Sequence, residues 1–284
     1  MASLRALMRL SLSLGRVSQT TTPRLATQVC ARPFTDGGDM QKYEFLPRNR
    51  NFLLRSLRSG RTLADLHAEV GTEIKTPEEA ALALELGNAR FVAGKTRRDD
   101  SQFLERRVHY LAQEPFAAIL GCSDSRVPVE MVFDQSFGKL FVVRVAGNIA
   151  TPFTMASLEY AILVLGVRVV LVLGHEACGA VGAALQTDEQ VKKFPDNIQK
   201  LLGFISPHVQ SEWIHNLHDE RSRGREAAFR NVTGQVNTLM SNTLLRDRVD
   251  AGSLKIMGGF YEISSGMVDF VEFQKRQEED EGKK

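Results

Sequence analysis

Residues 167–179 read VRVVLVLGHEACG. The first seven form an unbroken apolar and β-branched run, interrupted only by Arg168. A strand without a polar face is one covered on both sides, as in a largely parallel sheet held between helices. Three other runs share the pattern: FAAIL (116–120), LFVVR (140–144) and LKIMGGFYEI (254–263). Between the second and third runs, TMASLEYAILVLG has helical period, and CGAVGAALQ starts another helix directly after the third. Residues 226–245 predict a long amphipathic helix with Val232, Val236, Leu239 and Met240 on one side. The order β, β, α, β, α, α, β predicts an α/β fold: a mainly parallel central β-sheet flanked by helices, with an N-terminal helical arm.

Upstream, TPEEAALALELGNARFVAG opens a helix with every expected start signal. Thr76 is the N-cap, Pro77 takes the first helical position, and Glu79 completes a capping box. Gly87 or Gly94 ends it. Residues 36–75 are mixed and charged and are expected to form a helical arm or variable extension. The catalytic or binding domain is expected over 76–275, with a charged tail at 276–284.

Composition narrows the class. Of the 284 residues 43% are apolar and 25% charged, which suits a folded core. The longest apolar run, 161–174, is broken by Arg168 and reads as a helix end followed by a buried strand rather than a membrane span. Residues 1–35 carry five arginines and no Asp or Glu. The formal charge of +2 therefore leaves 2 − 5 = −3 on the remainder, no basis for a nucleic-acid surface. That leader is Arg- and Ser/Thr-rich, and Leu4, Leu7, Met8 and Leu12 give it an amphipathic helical pattern. It is expected to be an organelle transit peptide addressing the mitochondrial matrix, with the chloroplast less favoured. Of three cysteines, Cys30 lies in the leader. Cys122 and Cys178 remain in a reducing compartment, which points to metal binding or catalysis rather than a disulfide.

In parallel α/β sheets functional groups gather where strands end, at the carboxyl edge. The first run leads into Gly121-Cys122 and the third into His175 and Cys178. If a helix begins at His175, the three-residue spacing puts His175 and Cys178 on one face, a turn apart. With Cys122 they form a Cys₂His set, the donor chemistry of zinc with an open fourth position. A fourth protein ligand would have to be Asp124, another carboxylate or a histidine. HEAC lacks the second histidine of the H-E-x-x-H metalloprotease motif, and Glu176 is expected to face solvent. In extended backbone Cys122, Asp124 and Arg126 share a face. Arg126 can then hold Asp124 in a bidentate pair, keep it ionised and let it accept a hydrogen bond from a zinc-bound water. Each element alone also reads as a packed thiol or a polar turn; it is their coincidence at strand ends that favours a zinc site. Cys-x₅-Arg and G-x-G-x-x-G loops are absent, which argues against a cysteine phosphatase and a dinucleotide site.

CSDSRVP (122–128) followed by HEACG (175–179) resembles the β-class carbonic anhydrase family. GKLFVVRVAGN, ASLEYAILVLGV and LKIMGGFYEISSGMVDF extend the resemblance over about 76–272. It implies one Zn²⁺ per chain on Cys122, His175 and Cys178, and an Asp124–Arg126 dyad orienting a zinc-bound hydroxide. The implied reaction is reversible hydration of carbon dioxide to bicarbonate and a proton. It further implies substrate contacts from Gln113, Phe141, Ala146, Tyr160 and Gly179, an alternate state with Asp124 on the zinc, and a homodimer or multiple of dimers. The alternatives are hydrolysis of carbonyl sulfide or carbon disulfide on the same scaffold, or a noncatalytic zinc-stabilised oligomer that binds bicarbonate. No proton-shuttle histidine is singled out among His67, His109, His208, His215 and His218.

Overall fold

The computed structural model describes residues 43–47, 74–97 and 113–275. Six strands form one sheet: β1 (Tyr43–Pro47), β2 (Ala117–Gly121), β3 (Leu140–Arg144), β4 (Val169–His175), β5 (Lys255–Glu262) and β6 (Met267–Lys275), in the order β1-β6-β5-β4-β2-β3. The four expected strands pair in parallel, β5 with β4, β4 with β2, and β2 with β3. β6 and β1 extend the sheet antiparallel. β6 follows β5 through a hairpin with Gly266 at φ 76°. It was missed because its sequence, MVDFVEFQK, mixes polar and apolar residues and matches neither a continuous run nor a clean alternation. β1 falls inside the segment expected to be a helical arm. Residues 36–42 and 48–73 of that arm, the leader and the tail at 276–284 lie outside the described residues.

Both faces of β2, β4 and the interior of β5 are buried, as their composition predicts, whereas the edge strand β3 is half-buried and ends on an exposed Arg144. Ala117, Ile119, Val169, Leu171, Leu173 and Met257 point into a cluster with helix α1 (Pro77–Val92). Their neighbours Ala118, Leu120, Val170, Val172 and Ile256 point the other way. There they meet α2 (Pro152–Leu163) and a long helix (Glu220–Met240) described below. The period-2 alternation thus divides one apolar run between two cores. α1 begins at the predicted cap: Thr76 Oγ1 accepts from Glu79 N at 3.2 Å while Glu79 Oε2 accepts from Thr76 N at 3.0 Å.

After β4 come α3 (Gly179–Ala184), several short helices, α4 (Glu220–Met240) and α5 (Thr243–Asp250). The expected single helix over 226–245 is therefore two. Asn242 caps α5, its side chain accepting from Leu245 N at 3.2 Å, and so ends the first helix before it. Val232, Val236, Leu239 and Met240 are all fully buried, as their spacing predicted. α4 lies close on the sheet because Gly174 is bare: a Cβ there would come within 2.5 Å of a Val232 methyl.

Candidate metal centre

The strand register assembles the site. Gly121 pairs with Leu173, so Cys122 leaves β2 level with Gly174, one residue short of His175. The ligand atoms of Cys122, His175 and Cys178 all lie within 4.8 Å of one another, and all three residues are buried. Cys122 Sγ and Cys178 Sγ are 3.9 Å apart. Two sulfurs on a tetrahedral zinc, each at about 2.3 Å, would stand about 3.8 Å apart. His175 Nδ1 lies 2.9 Å from the Glu176 carbonyl, which only accepts, so Nδ1 carries the proton and Nε2 presents its lone pair. Nε2 is buried with no protein partner. The donor set therefore fits a zinc ion. Asn148 Nδ2 is the other buried side-chain atom without a partner among the described residues, and nothing in the structure explains it.

His175 and Cys178 meet differently from the expected helical turn. His175 is the last residue of β4 and Cys178 is the N-cap of α3. The chain reverses through Ala177 at φ 53°, a left-handed conformation that costs a non-glycine residue about 1–2 kcal/mol. Such strain persists where surrounding contacts enforce it. Here Arg126 Nη2 donates to the Ala177 carbonyl at 3.2 Å. Residue 176 is held as well. Its N–H donates to Tyr261 O, and its carboxylate accepts from Ser264 N at 3.1 Å and from Arg221 Nη2 at 2.8 Å. Glu176 does not simply face solvent: it ties the loop to the β5–β6 hairpin.

Residues 124–127 likewise form a turn rather than extended backbone, with Val127 N donating to Asp124 O. The turn still joins the expected pair. Asp124 Oδ1 accepts from Arg126 N and Nε, both at 2.9 Å, and Oδ2 accepts from Nη2 at 2.8 Å. Arg126 holds the Asp124 carboxyl well below the usual carboxylate range. Asp124 Oδ2 is 3.9 Å from His175 Nε2, at the rim of the cluster. Either thiol can donate across the Cys122–Cys178 contact; the shared bond pulls Cys122 down, and the same bond and burial push Cys178 up.

Three residues of the site went unread in the sequence. Arg144, the last residue of β3, donates to the carbonyls of Cys122 at 2.9 Å and Asp124 at 2.6 Å, fixing the loop between them. Gly147 N donates to Cys122 Sγ at 3.3 Å. Asn231, fully buried on α4, donates to Gly147 O at 2.8 Å. The only signal for Arg144 was a charge ending an apolar strand at the carboxyl edge.

The expected substrate contacts divide. Gly179 follows Cys178, and Ala146 is half-buried beside Gly147. Phe141 and Tyr160 pack ring against ring in a tilted pair, centres 6.3 Å apart, rather than on the cluster. Phe141 pairs with Ala118, four residues before Cys122, hence about 13 Å along the strand. Gln113 is exposed ahead of the amino end of β2, at the opposite edge of the sheet. Within one chain these three do not join the Cys122, His175 and Cys178 cluster. His215 is exposed and bonded to Gln210, His218 is exposed, and His208 is partly buried with its pKa lowered by burial. His67 and His109 lie outside the described residues.

Comparison with known proteins agrees with this geometry. The carbonic anhydrase family model matches residues 117–268, which include both halves of the cluster. Carbonic anhydrase 2 of Mycobacterium tuberculosis is 38% identical over 192 residues, covering 67% of this chain and 90% of that protein. A tetrameric β-carbonic anhydrase of Sordaria macrospora superposes with a TM-score of 0.54 at 28% identity, over 60% of this chain and 86% of that one. A more distant relative, β carbonic anhydrase 6, mitochondrial, of Arabidopsis thaliana, is 25% identical over 236 residues, 80% of this chain and 78% of that protein. The chain belongs to the carbonic anhydrase family, in its β class.

Proposed function

We propose that Cys122, His175 and Cys178 hold one zinc ion per chain and that the site interconverts carbon dioxide and bicarbonate. The observation that carries this is the buried, unpartnered His175 Nε2 facing two thiols at tetrahedral spacing. Bound there, the ion supplies Lewis acidity that makes water nucleophilic near neutral pH. Asp124 is the hydrogen-bond acceptor at the rim. Its three bonds from Arg126 keep it ionised and leave Oδ2 directed beside His175 Nε2. Arg144 keeps the Asp124 backbone from drifting. Val145, Ile149, Val181 and Phe260 pack in the same cluster as Cys122 and Cys178 and keep one side of the site dry. A small, uncharged, linear substrate needs no more than such an apolar wall and one oriented acceptor.

The test is stopped-flow carbon dioxide hydration with zinc measured per chain, for wild type and Asp124→Asn. Expected are one zinc in both and a loss of about 100- to 10,000-fold in the variant, the usual worth of a positioned acid or base. A fully zinc-loaded wild type without hydration at mildly alkaline pH would refute the reading. Parallel assays with carbonyl sulfide and carbon disulfide establish which electrophile is preferred.

Gln113, Phe141 and Tyr160 reach a cluster only as contributions from a second copy. The exposed apolar side chains of Phe153, Tyr160, Leu163 and Val164, beside the unpaired edge strand β3, favour that assembly. Light scattering of the purified chain checks it; a monomer at micromolar concentration excludes it. A mitochondrial address is supported by the arginine-rich leader and by the name of the Arabidopsis relative. Import of a leader–reporter fusion tests it.

A further inference from the structure

The turn after β3 carries Gly147 at φ 75° and Asn148 at φ 44°, two successive left-handed residues. A turn of that kind does not hold its shape unaided when one of the two is not glycine. Its clamp comes from α4. Asn231 Nδ2 donates to Gly147 O at 2.8 Å, and Asn231 Oδ1 accepts from Gln235 Nε2 at 3.0 Å. Gln235 Oε1 accepts from Ala150 N at 2.8 Å, and Gln235 Nε2 also donates to Phe204 O. Both amides are essentially inaccessible to water. Buried amides are retained where their bonds fix a geometry, since an unbonded one costs heavily. The geometry fixed here is the Gly147 N–H, which donates to Cys122 Sγ at 3.3 Å. The next residue of α4, Val232, packs on Gly174, which precedes His175. One turn of one helix thus references the strand ends that present two of the three ligands.

We propose that Asn231 is a positioning residue of the metal centre: it holds the 146–148 turn so that Gly147 N–H donates to Cys122 Sγ, and it thereby restrains electron donation from that sulfur to a bound ion. The inference rests on the zinc-site reading above. An N–H bonded to a thiolate stabilises its lone pairs, so losing the bond makes the sulfur a stronger donor and leaves it less well placed.

Asn88 supplies the control. It is a buried amide of α1 that bonds Val132 O, Gly266 O and Val268 N, away from the cluster. The experiment compares full-length wild type, Asn231→Ala and Asn88→Ala after cobalt(II) replacement of zinc. It reads the thiolate-to-cobalt absorption band and the zinc affinity by chelator competition. Expected for Asn231→Ala is a band moved to longer wavelength and zinc binding weakened about 10- to 100-fold, the usual cost of losing an outer partner of a ligand. Expected for Asn88→Ala is a comparable loss of thermal stability with band and affinity unchanged. Asn231→Ala with an unmoved band, or equal shifts in both variants, would overturn the proposal. If Asn231→Ala yields no folded protein, Gln235→Ala, which removes the amide orienting Asn231, is read by the same two criteria. A wild type that binds neither metal overturns both readings; full loading with an unmoved band overturns this one alone.

Discussion

Gly147→Ala is the sharpest test of how the centre is built. An alanine Cβ at this position would lie 2.5 Å from Ile205 Cδ1 and 3.3 Å from Ala180 Cβ. Both costs of the change are calculable in kind. Holding a non-glycine residue at φ 75° costs about 1–2 kcal/mol. Forcing a methyl into a packed site costs a further 1–3 kcal/mol or so, giving a total of about 2–5 kcal/mol. At roughly 2–4 °C per kcal/mol for a domain of this size, the melting temperature falls by about 5–20 °C at fixed zinc. The steric part is separable. Ile205→Val removes the Cδ1 atom and alone costs about 0.5–1.5 kcal/mol. In the double variant the severe clash with Cδ1 is gone, leaving the conformational penalty and a mild approach to Ala180 Cβ at 3.3 Å. The pair should therefore be more stable than additivity requires by about 1–3 kcal/mol, a coupling typical of residues in contact. Strict additivity of the two changes, or a Gly147→Ala protein as stable as wild type, would refute the account of a turn locked between Ile205 and Cys122.

Other expectations follow from the same geometry. Asp124 has its folded-state pKa lowered, so its pairing stabilises the protein above the ordinary carboxylate range and is lost as pH falls below it; Arg126→Ala should flatten that part of the acid melting curve, and an unchanged curve counts against the pairing. Removing zinc held at 100 times its dissociation constant should cost about 2.7 kcal/mol, seen as a chelator-induced drop in melting temperature that His175→Ala no longer shows. Ala177→Gly relieves a left-handed alanine and should raise stability by up to about 1 kcal/mol; a fall would mean that the loop is not strained.

How legible this was from sequence depends on the range of each signal. Continuous apolar runs marked the four parallel strands; in β2, β4 and β5 burial on both faces leaves that local mark, while β3 keeps an apolar run although half-buried at the sheet edge. β6 carried no such mark, being a polar–apolar mixture whose place is set by its hairpin partner. The Cys122, His175 and Cys178 cluster was readable because thiols and imidazoles are scarce residues placed at strand ends. Their approach was misread: H-x-x-C suggests a helical turn, while the chain uses a strand end, a left-handed alanine and a cap. The Asp124–Arg126 pair survives in a turn rather than in extended backbone, because an Asx-type bond to Arg126 N performs the alignment that alternation was expected to give.

The supports of the site stayed unread for a further reason. Asn231 and Gly147 are 84 residues apart, and neither type marks a metal site on its own. Along α4 the visible pattern was the apolar stripe of Val232, Val236, Leu239 and Met240. Asn231 and Gln235, each one position before a stripe valine, look like ordinary breaks in it. They are as deeply buried as the valines themselves. A helix needing only hydrophobic contact with the sheet could carry leucine at both positions. What leucine cannot do is bond a carbonyl in a turn that also donates to a ligand sulfur. The same surface of α4 therefore has two tasks: its valines set how far the helix stands from β4, and its amides set where the Gly147 turn sits against Cys122. Because the two are interleaved on one rigid helix, a change that lets α4 slide should disturb Cys122 and the core together.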